Sequence, residues 1–166
     1  MSFILSADRQ LDVIGAFHRY RQYLDRVKPS FPASLFELAA STWYFDPDDH
    51  RCPHDSWLEQ FTLSESQTTP SNRIVNGRMT LLGAYDDLIL EFLYQAILRY
   101  DCDILDCSSG HRDWLYDEFR VSDAGNVIHE IEWSGATRVG HWLIEASDVI
   151  FRAVPVGEKT NNDGGS

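Results

Sequence analysis

A change in the hydrophobic period near residue 57 constrains what this chain can fold into more than any other feature of the sequence. Before this point, apolar residues recur at spacings of three and four, which is typical of helices buried on one side. After it, apolar and polar residues alternate, which is typical of strands whose two faces differ. Helices that precede the strands, instead of alternating with them, indicate an α+β fold.

Two helices are predicted in the first segment. The first covers residues 7–27, with Ser6 as its N-cap, and Pro29 and Pro32 prevent it from continuing. The second, over residues 33–43, is rich in apolar side chains. The face of the first helix that we expect to be buried consists of Val13, Phe17, Tyr20, Leu24 and Val27.

The rest of the chain is predicted to form a mainly antiparallel sheet of about six or seven strands joined by hairpins. One strand begins at Trp57, a polar loop follows at 64–72, and Asn76-Gly77 indicates a turn because both residues tolerate positive φ. Hairpin loops are expected at Asp86-Asp87 and at 122–126. The strands that follow are predicted at 79–85, 88–94, 97–105, 115–121, 127–133, 141–145 and 149–154.

One stretch of this sheet supports two predictions. Residues 87–99 also fit a helix, with acidic residues at its start and Arg99 at its end. However, apolar and charged residues alternate from Leu98 to Ile104, which favours a strand there. We therefore favour strands at 88–94 and 97–105, and the helix stays open as the alternative.

Composition narrows the function classes. The formal net charge is −12, from 26 acidic and 14 basic residues, and a negative chain repels phosphate backbones and anionic lipids. Neither nucleic acid nor a membrane is therefore an expected partner, whereas a basic protein is. Three cysteines without framework spacing, and only three successive apolar residues near the start, favour a cytoplasmic protein. We expect one domain over residues 1–156 and a disordered tail over 157–166.

No cofactor is predicted, because the sequence contains no glycine-rich phosphate loop, nucleophile elbow or zinc-protease motif. The segment 50–54 places three potential metal ligands within five residues: His50, Cys52 and His54. Structural zinc sites usually take two separated pairs of ligands, and a second pair has no obvious source here. These three residues are therefore only weak candidates for a metal site.

Pairing of the two clearest strands brings ionisable side chains together. If Val121 faces Val127, then Glu118 lies opposite Glu130. Carboxylates directly opposite each other destabilise a sheet, so a cation, solvent or a raised pKa should compensate. The same register pairs Tyr116 with Glu132 and Phe119 with His129, and it places Asp117 diagonal to His129. A slip by one residue would separate these groups onto different faces.

Two functions remain open from the sequence. The favoured one is a small acidic non-enzymatic interaction protein, such as an inhibitor or immunity-type protein, that binds a basic partner through Trp114, Tyr116, Glu132 and Trp133. The alternative is an enzyme or small-ligand binder built on the 111–132 region. Its candidate catalytic residues are His111, Asp113, Asp117, Glu118, His129 and Glu130. Aromatic residues, including Tyr44, would mark a binding surface or an apolar-lined pocket if several of them were exposed together.

Overall fold

The computed structural model describes residues 2–69, 71–103, 108, 110, 112–135 and 138–157. The helices are α1 (Val13–Val27) and α2 (Ala33–Ala40), and short 3₁₀ helices cover Ala7–Gln10, Lys28–Ser30 and Trp43–Phe45. The strands are β1 (Trp57–Thr69), β2 (Asn72–Leu82), β3 (Leu88–Cys102), β4 (Trp114–Val121), β5 (Val127–Trp133) and β6 (Gly140–Pro155). The predicted α+β class is confirmed, with six strands in the part described. Of the predicted tail, only Gly157 lies within the described residues.

Helix α1 begins later than the sequence predicts. A 3₁₀ helix precedes it, and Asp12, not Ser6, caps it: Asp12 Oδ1 accepts a hydrogen bond from the Gly15 amide at 2.8 Å. A side-chain carboxylate satisfies an amide that the first turn cannot pair internally, which sets the helix start. Of the predicted buried face, Tyr20 and Leu24 are buried, Phe17 and Val27 are partly buried against the core, and Val13 is exposed; Ala16 is buried as well.

Helix α2 ends three residues before its predicted end, and Trp43 belongs to the following 3₁₀ helix. Its Leu35 and Leu38 are buried, and Trp43 packs against Phe151 of β6 with ring centroids 5.8 Å apart. Within the described residues, no helix has both the length and the apolar character required to cross a bilayer.

The six strands form one antiparallel sheet in the order β1-β2-β3-β6-β5-β4. The sheet curls strongly, since Phe61 of β1 contacts Trp142 of β6 at 5.4 Å although two strands separate them in this order. At one end the outer strands meet: Trp57 bridges to Asp113, and the Trp114 amide donates to the Ser56 carbonyl at 2.9 Å. The concave side of this sheet, with the helices against it, holds the core.

Two predicted breaks near the start of the sheet are wrong. Strand β1 continues to Thr69 through the predicted polar loop 64–72, and Asn76-Gly77 lies inside β2 instead of forming a turn. Ladder hydrogen bonding to a neighbouring strand stabilises polar segments that look like loops in isolation. Gly77 lies under the side chain of Ile97, whose Cδ1 would be 2.8 Å from a Cβ at position 77 and would have to shift to accommodate one.

Two further pairs of predicted strands are each one long strand. Residues 88–94 and 97–102 form β3, which bends at Ala96, whose φ is 47°; residues 104 and 105 lie outside the described part. The register shifts between Ile97 and Arg99, and Asn76 Oδ1 accepts a hydrogen bond from the Ala96 amide at 3.0 Å. Such a bulge interrupts the side-chain period without ending the strand. Segments 141–145 and 149–154 likewise both belong to β6.

Helix α1 closes the outer edge of β4. The Tyr20 hydroxyl accepts a hydrogen bond from the Phe119 amide at 2.8 Å and donates one to the Phe119 carbonyl at 3.0 Å. One turn further along, the Tyr23 hydroxyl accepts a hydrogen bond from the Val121 amide at 2.8 Å. An open strand edge is a template for unwanted pairing, and these two side chains take the place of a seventh strand.

Candidate functional site

The predicted register of the β4–β5 hairpin is confirmed. Val121 faces Val127, Glu118 faces Glu130, Tyr116 faces Glu132, and Phe119 faces His129. Because side chains alternate across a strand, this register divides the candidate residues between two surfaces. Asp117 and His129 lie on the concave face, in the core. Glu118, Glu130 and Glu132 lie on the opposite face.

On the concave face, Asp117 is the centre of a buried hydrogen-bond network. Its Oδ2 accepts hydrogen bonds from the Tyr44 hydroxyl at 2.7 Å and from His129 Nε2 at 3.0 Å. Its Oδ1 accepts one from the indole Nε1 of Trp114 at 3.3 Å. A buried carboxylate requires such donors, because burial without them costs several kcal/mol. All three donors are uncharged when His129 is neutral.

His129 is held as the neutral tautomer that carries its proton on Nε2. Nε2 donates to Asp117, and Nδ1 lies 2.8 Å from the Tyr94 hydroxyl, which donates to it. Burial lowers the pKa of His129 and outweighs the opposing effect of Asp117. The pKa values of Tyr44 and Tyr94 are raised, first by burial and then by the charge of Asp117. The network therefore contains one carboxylate and four neutral side chains, those of Tyr44, Trp114, His129 and Tyr94.

On the opposite face, Glu118 fastens the N-terminal segment to the sheet. Its Oε2 accepts hydrogen bonds from three successive backbone amides, those of Phe3 (2.8 Å), Ile4 (2.7 Å) and Leu5 (3.4 Å). Arg120 Nε lies 2.9 Å from Oε1, but the two atoms are not aligned for a hydrogen bond, so this contact is an ion pair only. Burial raises the pKa of Glu118 despite these contacts.

The two remaining glutamates of the hairpin are also paired. Glu130 forms an ion pair with Arg120 and lies 3.4 Å from His141 Nδ1. Glu132 accepts a hydrogen bond from Arg9 Nη2 at 2.7 Å. Burial alone would raise the pKa of Glu132, but its contacts with His141 and Arg9 together lower it. The repulsion expected between opposed carboxylates is thus compensated by basic groups and backbone amides.

A pocket of about 160 Å³ lies at the end of β4 nearest to the loop 46–55. Asp117 contributes to its wall, and so does His54, whose buried Nδ1 lies 3.2 Å from Asp55 Oδ2 but forms no hydrogen bond. Cys52 donates a hydrogen bond to the Tyr44 carbonyl at 3.2 Å, and burial raises the pKa of its thiol to about 11. The aromatic residues of the wall are Phe17, Tyr44, Phe45, Trp114 and Tyr116.

Next to this pocket, two loops form an acidic surface that we call the acidic end. It comprises Asp46, Asp48, Asp49, Asp55, Asp86 and Asp87, with Arg51 as its only arginine. The loops are joined by His50, which lies 2.6 Å from Asp87 Oδ2 and stacks on Tyr85 at 4.0 Å. Asp49 pairs with Arg51, which lowers the pKa of that carboxyl to about 2. Within the described residues, Asp46, Asp48 and Asp86 form no ion pair.

The other predicted site residues are scattered. Asp113 lies at the start of β4, where its amide donates to Ser134 Oγ, and His111 lies outside the described residues. Trp114 and Trp133 are each 1% exposed, so neither ring can form part of an exposed surface. The three weak metal candidates, His50, Cys52 and His54, do not form a group that could hold a metal ion in the described structure.

Sequence reasoning missed the partners that complete the site. In the sequence, Tyr44 is only one of several aromatic residues, and Phe17, Phe45 and Tyr94 carry no functional signal. Three of the noted aromatic residues, Tyr44, Trp114 and Tyr116, line the pocket, but no local pattern links them to Asp117. Comparison with known proteins adds no candidate: no family model, curated protein or solved structure matches this chain.

Proposed function

We propose that this chain is a non-enzymatic interaction protein that binds a basic partner through the acidic end. The observation that carries the proposal is the contrast between the two carboxylate groups of the molecule. The glutamates of the hairpin are paired internally, whereas most carboxylates of the acidic end face solvent with one arginine among them. Unpaired surface charge of one sign steers a partner of opposite charge and speeds its association.

Exposed aromatic surface at the acidic end supports the same proposal. Tyr85 is 47% exposed, and its hydroxyl donates to the Pro47 carbonyl at 3.1 Å, so the ring is held in place before a partner arrives. Tyrosines that are ordered in this way contribute strongly to interfaces, because little side-chain freedom is lost on binding.

The alternative of an enzyme receives less support. The pair Asp117–His129 has the geometry of a general base with its orienting partner, but His129 is fully buried and both of its ring nitrogens are occupied. Binding of a small ligand is favoured by a different observation, because Asp117 lines a pocket.

The test uses two variants with the same change in net charge. Asp48→Lys with Asp86→Asn alters the acidic end; asparagine is chosen because residue 86 has a φ of 59°. Asp25→Lys with Glu37→Gln makes the same change at exposed helix positions. Each chain is used as bait in extracts of the cells that encode it.

We expect the unaltered chain and the helix control to retain a basic protein in stoichiometric amount, and the variant of the acidic end to lose it. Retention should also weaken as salt is added, because exposed charges are screened. Recovery of no stoichiometric basic protein, or equal retention by both variants, would contradict the proposal.

A further inference from the structure

We infer that the aromatic pocket beside the acidic end binds a methylated organic ammonium group, either on a small molecule or on a methylated lysine side chain. This pocket is not needed for the proposed binding of a basic partner through the acidic end. The inference rests on the shape of the pocket, on the charge at its wall and on its shortage of hydrogen-bonding groups.

The rings of the pocket stand at steep angles to one another. Phe17 meets Phe45 at 72° and Tyr116 at 62°, and Tyr44 meets Phe45 at 88°. Rings arranged in this way form the sides of a box, which suits a compact, nearly spherical cation. A planar guanidinium group would instead be favoured by parallel faces. Aromatic boxes are the usual means by which proteins bind quaternary ammonium groups.

Asp117 supplies a negative charge at the wall of this box. The side chains that bond to it, Tyr44, Trp114 and neutral His129, bring no positive charge. An ion inside a protein acts across a lower dielectric than water, so a cation in the pocket would be attracted strongly. Arg9 already covers one face of the Tyr116 ring, with its guanidinium carbon 4.1 Å from the ring centroid, and its positive charge is compensated by an ion pair with Glu132.

The size of the pocket and its polar groups favour a methylated ammonium over a primary one. Its volume of about 160 Å³ resembles that of an engineered cavity of roughly 150 Å³ that holds benzene, and a trimethylammonium group is of similar bulk. Asp117 already accepts three hydrogen bonds, and the Cys52 thiol donates its proton to the Tyr44 carbonyl. Among the described side chains of the wall, His54 Nδ1 is the only buried polar atom without a hydrogen-bond partner, and it can accept one hydrogen bond. A primary ammonium brings three N–H donors, whereas a quaternary one brings none.

The test compares choline with 3,3-dimethyl-1-butanol, its uncharged isostere, by titration against the full chain. The indole proton of Trp114 is the reporter, because that group donates to Asp117 inside the pocket. We expect choline to shift this resonance saturably, and the alcohol to bind at least about tenfold more weakly. The inference would be overturned by equal binding of choline and the alcohol. It would also be overturned if neither choline at tens of millimolar nor a peptide that carries trimethyllysine shifted the resonance.

Variants distinguish loss of the binding site from loss of the fold. Phe17→Leu and Asp117→Asn should each weaken choline binding about tenfold. Trp43→Leu is the matched control, since Trp43 is a partly buried aromatic residue outside the pocket, and it should leave the affinity unchanged. Thermal unfolding of each variant shows whether it is folded. Equal affinities for choline in folded Phe17→Leu, folded Asp117→Asn and the control would also overturn the inference.

A second arm identifies the source of the group. A peptide with trimethyllysine is compared with the same peptide carrying unmodified lysine. Binding of choline, of the trimethylated peptide or of both supports the inference and identifies the natural source. Equal binding of the unmodified peptide would overturn it. Failure of choline binding can be distinguished from failure of the proposed binding of a basic partner, because that proposal is tested by partner capture with Asp117 unchanged.

Discussion

Replacement of Tyr20 by phenylalanine would test how the edge of the sheet is closed. This substitution removes one hydroxyl and keeps the ring, so packing is nearly unchanged. The hydroxyl serves both backbone groups of Phe119, at 2.8 and 3.0 Å, and neither residue has access to water. A buried backbone group left without a partner costs about 1–3 kcal/mol, so two should cost about 3 kcal/mol together. For a chain of this length, that lowers the midpoint of thermal unfolding by roughly 6–12 °C.

A graded series makes the reasoning refutable. Tyr23→Phe removes one hydrogen bond, that of the Val121 amide, and should cost about half as much as Tyr20→Phe. Tyr85→Phe is the control, because its hydroxyl bonds the Pro47 carbonyl at an exposed site, and it should change stability by less than about 0.5 kcal/mol. Urea titration with linear extrapolation gives the free energies of unfolding, and amide exchange at Phe119 reports the edge directly. If Tyr20→Phe were no more destabilising than Tyr85→Phe, the hydroxyl would not be closing the edge.

Three other predictions concern buried ionisable groups. Glu118→Ala leaves three backbone amides without their acceptor and removes one of the two ion pairs of Arg120, so we expect the free energy of unfolding to fall by about 3–5 kcal/mol and the Ile4 amide to exchange fast; slow exchange there would contradict the attachment of the N-terminal segment by Glu118. Because the pKa of His129 is lowered in the folded chain, the unfolded chain binds the extra proton, so stability should fall as pH drops below about 6.5. His129→Gln should flatten this dependence of stability on pH. An unchanged slope between pH 7 and 5 in the variant would show that another group causes the dependence. With the pKa of its thiol at about 11, Cys52 should react with a disulfide reagent at pH 8 only after unfolding, as measured in a Cys102→Ser, Cys107→Ser background; rapid reaction of the folded chain would contradict its burial.

The hairpin of β4 and β5 is the part of the site that could be predicted in detail. Its loop, Ser122–Asn126, is short and rich in turn residues, so the strands on either side must pair with one another. Once the loop is known, the register follows, and it correctly placed Asp117 near His129 and Glu118 beside Glu130. These contacts join residues close in sequence, which is why local patterns were sufficient.

Strand boundaries elsewhere were less predictable. The polar stretch 64–72 and the dipeptide Asn76-Gly77 look like loop and turn, yet most of the first and all of the second are paired in the sheet. The bend at Ala96 interrupts the alternation of apolar and polar side chains along β3, and for this reason the sequence predicts two strands where there is one. In each case, hydrogen bonds to a neighbouring strand outweigh the preference of the isolated segment.

By itself, the sequence determined the class of fold, the order of helices and strands, and the pairing within the 114–133 hairpin, because each depends on periodicity or on a short loop. Only the tertiary structure decided what surrounds the ionisable groups. Glu118 is bound by amides more than a hundred residues away in the chain, and the rings around Asp117 come from α1, the 3₁₀ helix Trp43–Phe45 and β4. Whether a carboxylate is paired, buried or open to a ligand depends on such distant neighbours, and packing of the whole chain brings them together.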